Sequence, residues 1–323
     1  MIAIVLIALA AGSASALMFA STMSGMPISL LLSLLAPLPL MVAALGWGPL
    51  SATIGGIAAA SGFGVVFGLH YCLAFAILVA LPAWWLGHLV LLGRPQANTA
   101  PGNGATPGAP QLEWYPLGRI LLWIAGFAIL SSITSWLVLG KGADAIAAAL
   151  RSALLQVLPM REGLSTGEIE QLVDALITIL RGLSAMFVVT TLTLNLWLAA
   201  KISAVSGMLQ RPWPDLKNTT LPPMTLVALS VALAFCFVGG TFGIMAQIVA
   251  AALMMAYALV GLAVLHTVTL SLKSRAIWLS CAYGILVLLP WSVILLIGLG
   301  IADTAFGIRQ RYLRGKPPPL PAS

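Results

Sequence analysis

Three histidines, eight carboxylates and three cysteines are the first side chains to weigh for acid–base, nucleophilic or metal chemistry in these 323 residues. Their spacing supports none of it. His70, His88 and His266 have neither an HExxH pattern nor a carboxylate one helical turn away, so no metal site is expected. Cys72, Cys236 and Cys281 each sit inside an apolar run, which fits neither a disulfide framework nor a zinc pattern. No GxxxxGK[ST] or GxSxG occurs, and no GxGxxG in a strand–helix setting, so nucleotide-driven and serine-hydrolase chemistry lack support. No Asp, Glu, Lys or Arg is expected deep in a membrane span, which argues against an ion-relay pump and against an acid–base pair. Neither an enzyme nor a cofactor is expected.

What the apolar stretches do hold is uncharged. Thr190, Thr191, Thr193 and Asn195 cluster on one span, and Gln247 and Tyr257 lie on another. Amides and hydroxyls in lipid need partners, which are other helices or the lining of a cavity. The sharper expectation is a ligand between Leu183–Ala204 and Thr241–Thr269, lined by Thr190, Thr193, Asn195, Gln247 and Tyr257. With no buried charge to pair, that lining suits a neutral or zwitterionic molecule. The alternative is that Asn195 and Gln247 only bond neighbouring helices.

Small residues recur every four positions in three rows. They are Ala8, Gly12, Ala16, Ala20; then Gly48, Ala52, Gly56, Ala60, Gly64, Gly68; and Gly243, Gln247, Ala251, Met254, Ala258, Gly261. Such rows let helices approach closely in lipid. They predict packing inside the chain or docking onto a partner membrane subunit.

The elements that must carry these residues follow from composition. With 61% hydrophobic residues, 7% charged and a mean hydropathy of +1.07, a water-soluble protein is excluded. The chain reads as an all-α, polytopic transmembrane bundle in the lipid bilayer, with about 8–10 hydrophobic segments and no nucleic-acid partner. A retained first span, Ile2–Ala20, precedes Ile28–Gly46, Pro49–Gly68 and Leu69–Leu92, in which Pro37, Pro39 and Pro82 should kink or break helices. Residues 1–92 form this N-terminal four-helix segment. Residues 93–116 form a flexible linker, since Gly93–Pro110 has no helical or strand period. Residues 117–313 form a second membrane segment, with spans Leu117–Leu139, Leu183–Ala204, Pro222–Gly239, Thr241–Thr269 and Ala276–Ala302. An amphipathic insertion at about 141–181 carries a helix over Asp144–Leu158. The capping box Ser165-Thr166-Gly167-Glu168 then starts a helix that runs on into the next span. The Pro-rich tail, 314–323, is expected to be disordered.

Lys and Arg set the orientation. Arg94 with Arg119, Lys201 with Arg211 and Lys217, and Lys273 with Arg275 mark three loops on one side, read as cytoplasmic, together with the N-terminus. If Ala276–Ala302 is one span, the 15 basic residues split seven inside and eight outside; a turn at Pro290 makes it eleven and four. The turn is therefore expected, with a cytoplasmic C-terminus in a bacterial inner membrane.

Two stretches carry a family resemblance. PLPLMVAALGWGPLSATIGGIAA (Pro37–Ala59) resembles the Pro-rich helix end, Gly turn and Gly/Ala-rich helix of bacterial YybS-like proteins, domain-of-unknown-function family 2232. LIGLGIADTAFGIRQR (Leu296–Arg311) resembles that family's closing Gly–Asp–basic pattern at Gly300, Asp303, Arg309 and Arg311. YybS-like proteins are distantly similar to substrate-binding subunits of energy-coupling-factor vitamin transporters. That similarity implies a helical bundle with a Gly-rich core helix, a small-molecule site and an Ala-xxx-Ala face for a coupling partner. The chain has more spans than the usual six and no vitamin-binding signature. The leading expectation is thus a substrate- or partner-binding transporter subunit; the alternative is a structural or assembly protein that transports nothing.

Overall fold

The structure is a computed structural model and describes residues 2–24, 26–95, 112–138, 148, 151–153, 166–214 and 219–314. Seven helical stretches among them are long and apolar enough to cross a bilayer: Ile2–Ser24, Ile28–Trp47, Pro49–Phe67, Leu69–Leu91, Leu117–Ser135, Glu170–Val205 and Gly240–Val268. A bent pair, Arg275–Leu288 with Pro290–Phe306, and a shorter apolar helix, Met224–Phe235, bring the hydrophobic segments to ten. The protein is an all-α polytopic bundle, the form in which a chain this apolar can satisfy its backbone in lipid. Packing divides it into two compact units: Met1–Ile124 with Thr191–Thr219, and Ala125–Thr190 with Thr220–Ser323. The units interleave in sequence.

In the first unit lie α1 (Ile2–Ala20), α2 (Pro27–Leu34), α3 (Pro37–Trp47), α4 (Pro49–Phe67), α5 (Leu69–Phe75) and α6 (Leu81–Leu91). Helices α1 and α4 cross backbone on backbone: a Cβ on Gly12 would run into the Gly55 carbonyl, and one on Gly55 into the Ala8 carbonyl. The glycine that makes this crossing stands one position before the expected row. Within that row, Ala52, Gly56 and Ala60 are buried, and a Cβ on Gly56 or Gly64 would come within 3.1 Å of Ala80 Cβ or 3.3 Å of Cys72 Cβ. Gly48 and Gly68 are not packing residues. Each caps an end of α4 at φ +93°, a conformation open to glycine and strained for other residues.

The prolines act differently from one another. Pro37 and Pro39 remove two helical donors, and the Leu38 N–H bonds Leu35 O, so the span breaks between α2 and α3 with Leu34 O freed. Before Pro82 the helix widens instead, through a π turn at Ala76–Ala80 in which the Leu81 N–H reaches Ala76 O. The linker is also more ordered at its ends than expected. Strands β1 (Gly93–Pro95) and β2 (Leu112–Trp114) pair antiparallel, with Arg94 bonded to Glu113 at 2.7 Å. Residues 96–111, the body of the linker, lie outside the described residues.

Helix α7 (Leu117–Val138) and the long α8 (Thr166–Val205) pass from one unit to the other. The helix after the capping box does run on unbroken into its span: α8 has 40 residues, about 60 Å at 1.5 Å per residue. Ser165 of the box, the tail beyond Arg314 and most of Asp144–Leu158 lie outside the described residues, although Arg151 there pairs with Glu170 at 2.6 Å. The second unit adds α9 (Met224–Phe235), α10 (Gly240–Val268), α11 (Arg275–Leu288), α12 (Val293–Phe306) and α13 (Ile308–Arg314). The expected span Pro222–Gly239 reduces to α9, because Gly239 and Gly240 take positive φ (+77° and +57°) and start α10 anew.

Helices α10 and α12 repeat the glycine crossing. A Cβ on Gly261 would meet the Leu296 carbonyl and one on Gly300 the Tyr257 carbonyl, so the two run antiparallel. The chain turns by 119° at Pro290. On α11 the Tyr283 hydroxyl lies 2.8 Å from His266 Nε2 in the last turn of α10. Only α12 then descends along α10, which carries Arg309 and Arg311 toward the opposite end from Lys273 and Arg275. The turn expected at Pro290 is thus present.

Candidate functional site

Between the two spans singled out by sequence lies a groove of about 690 Å³ in the second unit. One wall is α8 (Leu183, Phe187, Thr190) and the other is α10 (Met255, Ala258, Leu262). The turn between α11 and α12 (Leu286, Pro290, Val293) borders it. The wall exists because α10 and α12 touch through glycines, while α8 approaches α10 higher up, where a Cβ on Gly182 would come within 3.6 Å of Ala251 Cβ. Its only side-chain hydroxyls are already engaged: Ser184 donates to Arg181 O at 2.7 Å and Thr190 to Met186 O at 2.9 Å. A polar solute entering here would lose water and gain no hydrogen bond, whereas an apolar chain loses nothing.

Of the five residues expected to line a site, Thr190 alone borders this groove. Asn195 is fully buried in the first unit, where its Nδ2 donates to Leu34 O and to Thr191 O, both at 2.8 Å. It answers the carbonyl that the proline break freed. Thr193 also belongs to the first unit. Tyr257 is fully buried and its hydroxyl meets Thr225 Oγ1 at 2.6 Å, joining α10 to α9. Gln247 lies two turns before the groove on α10, its Oε1 buried without a hydrogen-bond partner. The structure therefore separates Asn195 from Gln247 by unit and leaves their amides off the groove.

Two charged features escaped the sequence reading. Asp303 and Arg309 form a buried ion pair, 4% and 2% exposed. The Asp303 carboxylate accepts from Arg309 Nη2 at 2.6 Å and from Arg309 Nε and backbone N–H at 2.8 Å. Gly307, at φ +64°, makes the turn that brings Arg309 back. Asp303 stands one helical turn beyond the Gly300 crossing, so the pair is buried against the end of α12. The closing Gly–Asp–basic pattern pointed to these residues without revealing their pairing. The second feature is Arg211, 8% exposed, with Nη1 donating to Val90 O at 3.3 Å. Burial holds its pKa below the usual arginine value. Among the described residues no three His, Cys, Asp or Glu side chains gather as metal ligands would.

A family model described as "Predicted membrane protein (DUF2232)" matches residues 13–304. No curated protein and no solved structure matches this chain.

Proposed function

The chain belongs to the DUF2232 family of predicted membrane proteins, and we propose that it binds the apolar part of a hydrophobic or amphiphilic molecule in the groove between α8 and α10. The observation that carries this reading is the lining: apolar side chains around about 690 Å³, with both hydroxyls already bonded to their own helix. That volume is in the range of small-molecule sites. No titratable side chain lines the groove, which favours a binding subunit, of a transporter in a bacterial inner membrane, over an enzyme.

Native mass spectrometry of detergent-purified protein tests it. Wild type should retain a hydrophobic molecule of defined mass. Leu262→Trp, which fills the groove from a half-buried position, should lose it while eluting unchanged on size exclusion. Equal retention by both proteins, or none by wild type, would overturn the reading. The assembly-protein alternative draws on α11, which has no buried residue and leaves Ile277, Trp278, Val287 and Leu288 exposed. Its signature would be a protein partner, lost on Trp278→Ala, in place of a small molecule.

A further inference from the structure

Arg211 owes its burial to the end of α8. Gly207, at φ +68°, reverses the chain, and the N–H groups of Met208 and Leu209 both bond Ser203 O. Met208 then packs near Gly46 at the end of α3, and Arg211 reaches the last turn of α6. There its guanidinium lies 5.9 Å from the centre of the Trp114 ring and, among the described residues, makes one hydrogen bond, 3.3 Å to Val90 O. A guanidinium has five N–H donors, and a buried one normally meets a carboxylate or several acceptors. Among the described residues of the first unit the one carboxylate, Glu113, is taken by Arg94. Two residues from Arg211, Trp213 carries Lys201 Nζ over its ring at 5.2 Å.

The surroundings combine tryptophans with cations. In this part of the first unit Trp47 ends α3, Trp213 lies in the loop after α8, and Trp85 of α6 meets Trp123 of α7 at 5.1 Å. Its described charges are Arg94, Arg119, Lys201 and Arg211 against Glu113 alone. Tryptophans and cations mark the headgroup level, where phosphate oxygens are the abundant acceptors. We propose that Arg211, with Lys201 over the ring of Trp213 two residues on, anchors a phosphate group at this end of the first unit. The planar guanidinium would engage two phosphate oxygens while Val90 O holds its third edge. The phosphate belongs to an anionic phospholipid or is free in solution, and the chemistry at Arg211 is the same for both.

The test uses the full chain in nanodiscs and in detergent. In nanodiscs of mixed phosphatidylglycerol and phosphatidylcholine, wild type should retain phosphatidylglycerol selectively on mild detergent extraction, and Arg211→Gln should retain about tenfold less, the loss of one charge-assisted contact. Arg211→Lys, which keeps the charge but not the fork, should fall between them. A thermal shift of wild type by inorganic phosphate, absent in Arg211→Gln, with no lipid selectivity would assign the site to free phosphate. If Arg211→Gln fails to fold, Lys201→Gln carries the test, with a smaller loss of retention expected. Equal retention of the two lipids by wild type and no response to phosphate would overturn the proposal. So would phosphatidylglycerol binding that appears only in Asp215→Asn, since the carboxylate four residues on would then be the partner of Arg211.

Discussion

The two units share one construction and diverge in what they build around it. Each is held at a crossing where glycine meets backbone, Gly12 on Gly55 in the first and Gly261 on Gly300 in the second. In the first unit the neighbours close in. Asn195 fills the proline break, a Cβ on Gly87 would come within 2.5 Å of Ala44 Cβ, and Phe63 and Phe75 stack with Phe19 edge-on to both. In the second unit, α8 stands off from α10 and the turn at Pro290 leaves a groove open to an apolar molecule. Similar crossings thus serve a closely packed bundle and a grooved one, and the difference lies in the third helix rather than in the glycines.

The crossings should be the most sensitive points in both units. Gly55→Leu and Gly300→Leu should abolish folded yield on fluorescence-detected size exclusion, because the obstacle is backbone and cannot rotate away. Gly62→Leu, with open space around it, should leave yield unchanged. Survival of one crossing variant and not the other would show that the units differ in their cores as well.

The ion pair should set the second unit apart. Removing one partner of a buried pair costs about 3–5 kcal/mol, so Asp303→Asn or Arg309→Met should lower Tm sharply. The double variant Asp303→Leu with Arg309→Met should recover most of the loss. Equal loss in single and double variants would mean that packing, not charge, holds α13.

Smaller effects are expected from the buried amides. Asn195→Leu should cost about 0.6 kcal/mol, the average for an interhelical bond in lipid. Gln247→Leu should leave Tm unchanged or slightly higher, since its Oε1 has no partner to lose. The smallest effect should come from deleting Ala97–Gly108, which leaves β1 and β2 paired; membrane insertion and monodispersity should be unaffected.

Composition and hydropathy made the class and nearly every helix legible, down to the junction of the amphipathic segment with its span. The two spans that flank the groove were legible too, because they alone combined uncharged polar groups with small neighbours. Their side-chain roles were not. Asn195 faces the first unit because Pro37 and Pro39 free a carbonyl there, a demand raised by residues some 160 positions away. Gly55 rather than Gly56 makes the crossing because two four-residue stripes run side by side on α4, and spacing alone does not say which one faces α1. Asp303 and Arg309 read as interfacial charges until Gly307 folds one back on the other.

The groove is the central claim, and a photoactivatable phenylalanine analogue addresses it directly. Phe187 lies on the groove and is 54% exposed; Phe235 lies away from it at 50%, so both meet lipid to a similar extent. With the analogue at position 187, irradiation in native membranes should give a dominant adduct of one defined mass. At position 235 it should give only the mixed adducts of bulk lipid. The same mixture at both positions would show that the groove holds nothing of its own and would contradict the account.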